Sequence, residues 1–594
     1  MPSTQPPANL AAPLESSRSD SSLVASAPAA SSSAGASSAA AFPTASRFAP
    51  AAVHSQPPAS ATTPAALSDC ETDLNRQLGS RIAWKALACG LVADGFAWQQ
   101  GVGLNLAVYL SLILLAAASV LRLRFGTVPK ASSRLLGLGG VFSFLLILRD
   151  AEELRFLNFL AGLSCLALAV AVASPSPLGV YTARVRDVVA SAIRSGINTA
   201  VATFPLLFQV ASQTRSSKRS GLLHVVRVVA LSVAVTGAFG ALLAAGDPVF
   251  RNATQWLVRW SPNTLASHAV FVALFAWPVA GLLWGNTALS RTSRLAGSVT
   301  YPTASLRPVD VVTALTALNV LFGAFVATQA RVLFGGQAYV LATTGLSLAD
   351  YARSGFFTLI VVAGLVLSLL LAFNALLDKP GLSASKSMQR LSYAFLSLTG
   401  VVLVSAAARM IVYTNTFGAS PDRVFALTII GGLALVMMWF AITVLRNRPV
   451  HFAFGALAIG WSTLLAFNVA NPHALVARNH LARAARGELS DMQLVASHLS
   501  ADVVPLVVAA AEREMRAVQA MPIQATPVQA TSVPSTVTSA TATSSRTSAC
   551  GALAPIAARL SAATAEHPWS TWNFARWRAA RALAASSGRL AVCR

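Results

Sequence analysis

Charge is scarce in this chain. Only 11% of its 594 residues are Asp, Glu, Lys or Arg, and the acidic ones number 21 against 44 basic. Soluble globular domains carry roughly 25% charged residues, so this composition argues against an ordinary soluble fold. Cysteine is sparse too: Cys70, Cys89, Cys165, Cys550 and Cys593 are all there is. No two form a C-x-x-C pair, which removes zinc-ribbon and thioredoxin-like readings. Cys89 and Cys165 fall in apolar runs and read as small packing residues. Catalytic signatures are missing: there is no H-E-x-x-H, G-x-S-x-G, P-loop or Rossmann glycine fingerprint. Ser383-Ala384-Ser385-Lys386 matches S-x-x-K but has no companion motif and reads as chance. His473, His480 and His498 are seven and eighteen residues apart, so no two sit on adjacent turns as metal ligands. The reading is therefore non-enzymatic, with no catalytic residue, metal or cofactor assigned.

What the chain does have is length in its apolar runs. The hydrophobic fraction is 55% and the mean hydropathy +0.61. About eleven runs of roughly 17 to 24 residues lie at 82–98, 103–121, 132–148, 156–174, 224–245, 265–285, 311–334, 356–377, 391–414, 424–445 and 450–470. About 20 apolar residues cross the hydrocarbon core as a helix, and a soluble fold has no use for so many. The predicted fold class is all-α: a polytopic integral membrane protein with about eleven transmembrane helices and a small C-terminal helical extramembrane domain.

Composition divides the rest. Residues 1–80 are an Ala/Ser/Pro-rich tail that cannot bury enough apolar surface to order itself, and no apolar signal segment stands near Met1. The multi-span domain covers 81–470, an amphipathic helical region 471–516, a low-complexity linker 517–548 and a C-terminal helical segment 549–594. The net charge of +23 does not indicate nucleic acid, because the basic residues sit at the ends of apolar runs rather than in a stripe with aromatics. They report topology instead. Loops after the even-numbered spans hold about 18 Lys and Arg and those after the odd-numbered ones about six, a bias that places the N-terminus in the cytoplasm and the C-terminus outside. Arg478, Arg483 and Arg486, just past the last span, pull the other way. In the loop after the fourth span, Val185, Val189, Ile193 and Ile197 recur every fourth residue among arginines, the pattern of a helix lying in the membrane plane. The following residues, 197–212, are apolar but short and contain Pro205, which leaves a re-entrant segment and a further span both open. With the C-terminus outside, a bridge between Cys550 and Cys593 is open as well.

Seven stretches resemble a known family: DGFAWQQGVGLNLAVYL, AAGDPVF, QARVLFGG with GLSLADYARSGFF, SAAARMIVYTNTFGASPDRVFAL, NPHALVARNHLARA, LSADVVPL and WNFARWRAARALAA. In this order they are similar to the bacterial membrane proteins grouped as domain-of-unknown-function family 4173. The most specific part is Asp350-Tyr351-Ala352-Arg353-x-Gly355-Phe356, although Ser347-Leu348 and Asp350 depart from the family pattern. The resemblance implies a bacterial inner-membrane protein and no particular activity.

Topology gathers the polar residues at the predicted outer side. Ser405, Arg409 and Tyr413 stand four apart on one helix face, Gln329 and Arg331 end the seventh span, Asp350, Tyr351 and Arg353 lead into the eighth, and Asp422 and Arg423 open the tenth. The simpler reading is that Arg409 pairs with Asp350 or Asp422 to fasten helices. The functional one is a pocket for a polar or anionic ligand, since guanidinium binds carboxylate or phosphate in two places. Asp94, in the first span, is a proton-relay candidate set against a solvated helix end. The partners expected are the lipid bilayer and an envelope protein, with no nucleic acid. The functional expectation is an envelope regulatory or assembly role through the outer helical domain. The alternatives are a secondary transporter for a small polar or anionic solute and a transferase on lipid-linked substrates.

Overall fold

The computed structural model describes residues 64–98, 101–173, 185–216, 232, 262–287, 306–344, 356–377, 382, 385–488, 490–520, 549–566 and 569–588. Among them there is no β-strand, only an isolated bridge between Leu306 and Leu377. The chain is an all-α polytopic membrane protein. In the first half, helices α1 (Pro64–Ala97), α2 (Leu104–Phe125), α3 (Lys130–Leu148) and α4 (Glu152–Ala173) precede α5 (Val185–Val201), α6 (Thr203–Ser216) and α7 (Pro262–Thr287). The second half holds α8 (Pro308–Thr344), α9 (Phe356–Leu376), α10 (Lys386–Phe417), α11 (Pro421–Thr443) and α12 (Phe452–Ala470). Among the described residues after these, five shorter helices follow: α13 (Pro472–Ala485), α14 (Met492–Ser497), α15 (Val504–Ala520), α16 (Ala549–Glu566) and α17 (Phe574–Ser586).

Among the described residues, nine helices are long and apolar enough to cross a bilayer: α2, α3, α4 and α7 through α12. They fall on nine of the eleven expected runs. The run at 224–245 lies outside the described residues. The run at 82–98 is helical, but Lys85 and Asp94 interrupt it, so α1 is not among the nine. Its buried stripe is Leu78, Ile82, Ala86, Cys89 and Ala93, each at most 4% exposed and spaced by helical turns.

Three large apolar clusters make up most of the core among the described residues. One apolar cluster is built from α1 to α4 and α7, a second from α8 to α12, and a third from α13 to α17. Polar contacts tie the first two together, as they do between helices that lipid cannot drive together. Asn158 on α4 and Asn468 on α12 exchange two amide hydrogen bonds of 2.9 Å. About two turns away, Trp461 Nε1 donates to Ser164 Oγ at 3.1 Å. The third cluster is a helical cap on one end of the bundle, filled by Val476, Val495, Val503, Val507 and Ile556, all fully buried. Glu514 on α15 accepts the first backbone N–H groups of α16, from Ala549 at 3.0 Å and Cys550 at 3.2 Å. Cys550 is disulfide-bonded. Cys593 lies outside the described residues.

The segment expected as an in-plane helix behaves differently. Helix α5 runs antiparallel along α7, with Asn286 Nδ2 donating to Ser195 Oγ at 3.1 Å and, two turns on, Trp277 Nε1 donating to the Ala200 carbonyl at 2.9 Å. Gly281 and Gly285, a G-x-x-x-G pair on α7, make this approach possible: a Cβ on Gly281 would collide with the Thr199 carbonyl, and one on Gly285 would lie 2.9 Å from the Asn198 Cβ. The chain reverses at Ala202. There Thr203 Oγ1 donates to the Trp277 carbonyl at 3.1 Å, and α6 returns until Gln209 Nε2 donates to the Asn75 carbonyl at 3.1 Å. Asn75 also accepts from Arg124, in the last turn of α2. Both ends of the α5–α6 hairpin thus sit at the bundle end away from the cap. Its tip is level with Trp277, about 15 Å along the helix from the end of α7.

Candidate functional site

Several of the buried polar residues, Asp502, Asn573, His473 and His480 among them, converge where the cap meets the bundle. The α3–α4 connection is short, and Asp150 in it is held from three directions. Its Oδ1 accepts from Arg576 Nε at 2.8 Å and lies 3.7 Å from Arg155, while its Oδ2 accepts the Ala501 N–H at 3.3 Å. Asp502, 8% exposed, answers it from the cap. Asp502 Oδ2 accepts the Asp150 N–H and the Ser500 hydroxyl, both at 3.0 Å, and Oδ1 faces Arg149 at 3.4 Å. Each carboxylate is therefore paired and hydrogen-bonded, the condition under which burial of a charged group is tolerated. Asn573 completes the joint. Its Oδ1 caps α17 through the Ala575 N–H at 2.9 Å, and its Nδ2 donates to the Arg149 carbonyl at 2.9 Å. In the cap itself, burial pulls the Arg559 guanidinium below its ordinary pKa against the attraction of Asp150, while it donates to the Leu499 carbonyl at 2.7 Å.

Helix α13 grips the bundle at a second point. Asn471 caps it through the Ala474 N–H at 3.2 Å. One face then presents Asn479, His480 and Arg483 to the α10–α11 turn: Asn479 Oδ1 accepts the Ala419 N–H at 3.1 Å, and Arg483 donates to the Asn415 carbonyl at 2.8 Å. That arginine satisfies the open C-terminal carbonyls of α10 and complements its dipole. His480 Nδ1 accepts the Asp491 N–H at 3.1 Å, so its Nε2 carries the proton and donates to the Ala419 carbonyl at 2.7 Å. By the same reasoning His473, whose Nδ1 accepts the Ser500 N–H at 2.9 Å, points a protonated Nε2 at Glu153, 3.6 Å away. Gly418 has φ +83, and a Cβ there would come within 2.7 Å of His480 Cε1, so the turn requires glycine. A third contact is at the α1–α2 connection, where the Leu104 N–H donates to the Trp572 carbonyl at 3.0 Å and Phe96 packs edge-on against Trp569.

The residues singled out in the sequence are only partly brought together. Tyr413 and Arg423 meet, with the guanidinium 4.1 Å from the ring centre and donating to the Gly418 carbonyl. Ser405, Arg409 and Tyr413 share a face of α10, each partly buried. Asp422 is exposed and makes no hydrogen bond or ion pair with Arg409 or any other described residue, so the expected Arg409–Asp422 clasp is not formed. Opening α11, Asp422 lies a full turn ahead of the buried face that α11 turns to α10, which begins at Ala426. Gln329 and Arg331 are carried on α8, just past its apolar stretch, and their side chains lie outside the description, as do Asp350, Tyr351 and Arg353. Asp94 is not a solvated helix end. Its carboxylate lies 2.7 and 2.9 Å from His268 Nδ1 on α7, and Trp98 stacks on that imidazole at 4.3 Å. Ser385, inside the S-x-x-K match, accepts the Met388 N–H at 3.1 Å and so caps α10. Among the described residues no group of three His, Cys, Asp or Glu side chains is placed to hold a metal ion.

Sequence reasoning missed Asp150, Asp502, Arg576, Asn573 and His268. A signal was present for most of them, because Asp502 lies in LSADVVPL, Asn573 and Arg576 in WNFARWRAARALAA, and both gripping histidines in NPHALVARNHLARA. Stretches that looked like separate motifs form one joint.

Comparison with known families gives one result: residues 136–510 match the family described as a domain of unknown function, DUF4153. The chain belongs to that family. The match covers more than half of the chain, and it corrects the resemblance to family 4173 drawn from the motifs. No curated protein and no solved structure matches.

Proposed function

We propose that this chain is a non-catalytic multi-pass protein of a bacterial cytoplasmic membrane, with its cap on the outer side as a docking platform for an envelope protein. The observation that carries this reading is how the polar residues of the junction are used. Asp150, Asp502, Arg576, Asn573, Asn479, His480 and Arg483 all bond the cap to bundle connections, leaving the cap fixed rather than hinged. Its surface at the membrane level is aromatic and basic: Trp569, Trp572 and Trp577 are 67%, 42% and 41% exposed, beside Arg578 and Arg581. Tryptophan at this level suits the headgroup layer and the rim of a protein contact. The positive-inside bias and the Cys550 disulfide both favour an exterior, oxidising location for the cap.

A photo-crosslinking amino acid placed at Trp577 or Arg581 of the full chain in cells tests this. The expected result is one protein adduct of the same mass from both positions and none from Val361 on α9. Adducts to lipid alone at the cap positions would overturn the docking reading. One observation favours a secondary transporter instead: the α5–α6 hairpin ends at half depth, as the broken helices of such proteins do. Solute uptake by proteoliposomes holding only this protein would support that alternative.

A further inference from the structure

Besides the cap joint, the molecule holds a cleft of about 370 Å³ on the side of the bundle, between α4, α9, α11 and α12, roofed by the first turn of α13. That volume is in the range of small-molecule and lipid-chain sites. Its walls are apolar, among them Leu154, Ile360, Phe425 and Phe467. Val361 and Ile429 flank it and are 59% and 43% exposed, so the cleft opens sideways on the surface that faces hydrocarbon. Its rim at the cap end is different. Three polar residues stand there: Glu153, Asp422 and His473. Asp422 is exposed and has no hydrogen bond or ion pair with any described residue. Glu153 is half exposed, and its one ion-pair partner among the described residues is His473, whose Nε2 lies 3.6 Å away. The rim thus carries two carboxylates, and among the described residues no arginine or lysine lines the cleft. Arg155 and Arg423, the cations nearest in sequence, are engaged elsewhere, by Asp150 and the Val102 carbonyl and by Tyr413 and the Gly418 carbonyl.

An apolar slot under an acidic rim is complementary to a hydrocarbon chain with a positively charged head. We infer that this cleft binds a membrane lipid with a primary-amine headgroup, of the phosphatidylethanolamine class, its chain among Leu154, Ile360, Phe425 and Phe467 and its ammonium between Glu153 and Asp422. An anionic headgroup is repelled by the same two carboxylates. A quaternary amine lacks the N–H donors that both carboxylates accept. Occupancy of the cleft is independent of whether the cap docks a partner.

Native mass spectrometry of the full-length protein tests the inference, with phosphatidylethanolamine, phosphatidylcholine and phosphatidylglycerol of matched chains added in equal amounts. Wild type should retain phosphatidylethanolamine over each of the other two by about fivefold, the factor expected for a charge pair worth about 1 kcal/mol. Glu153→Gln with Asp422→Asn should abolish that preference while leaving some lipid bound, since the apolar walls remain. Ile360→Trp, which fills the slot, should remove the retained lipid altogether; its fold is checked by thermal unfolding. Equal retention of the three lipids by wild type would overturn the inference, as would a preference that persists in the double variant. A preference for phosphatidylglycerol would overturn it too, by assigning the cleft the opposite charge.

Discussion

At the scale of single residues, the joint turns on Asp150. Removing one member of a buried charge pair leaves the rest uncompensated, at about 3 to 5 kcal/mol. Asp150→Ala should therefore lower the thermal unfolding midpoint of the detergent-purified protein markedly, and so should Arg576→Ala. Their effects should be less than additive when combined, because the two side chains share one hydrogen bond of 2.8 Å. Fully additive losses would show that the pair is not coupled. Asp422→Asn is the contrasting case: exposed and unpaired, it should change stability by no more than about 0.5 kcal/mol. Gly418→Ala combines positive φ with a contact on His480, and should cost at least about 1 kcal/mol in the same measurement. Little of this was legible in the sequence. The face shared by Ser405, Arg409 and Tyr413 follows from helical spacing, but Arg576 lies 426 positions from Asp150 and Asp502 lies 352 away. No local pattern links residues at that distance.

At the scale of elements, the α5–α6 hairpin departs furthest from a sequence reading. Periodicity identifies a helix with an apolar stripe, and Val189, Ile193, Ile197 and Val201 are indeed 50 to 59% exposed along it. A flat helix and one inserted beside α7 present the same stripe to lipid, so spacing alone does not separate them. The packing of Thr199 and Asn198 on Gly281 and Gly285 does. Cysteines introduced at Val185 and Gln209 should react with a membrane-impermeant thiol reagent from the same side, and one at Val201 should not react. The native Cys89 and Cys165 are buried and stay silent. Labelling of positions 185 and 209 from opposite sides would make the segment a true span. Gly281→Leu should expose Val201→Cys to the reagent by forcing the helices apart.

At the scale of the whole molecule, a hairpin that returns to its own side leaves the count of crossings after it unchanged. The expected orientation then places Arg448 in the cytoplasm and Pro472 outside. A cytoplasm-dependent reporter fused after Arg448 should be active and one fused after Pro472 silent. Activity at both would refute the orientation and with it the exterior cap. The structure makes this test informative, because the α1–α2, α3–α4 and α10–α11 connections all meet the cap at one end. Whatever side the reporter assigns to Pro472 applies to all of them.

The sequence by itself determined that the chain is helical and built for lipid. Runs of about 20 apolar residues have one stable form in hydrocarbon, where each backbone group must be satisfied within its own segment. The caps that Asn471, Asn573 and Ser385 place on the helices that follow them came from the structure. Only the tertiary structure decided which polar residues meet. Hydrophobicity fixes how deep each helix sits and not its neighbours or its rotation. Those are set by close packing at small residues and by a few buried hydrogen bonds, Asn158 with Asn468 and Asp150 with Arg576 among them.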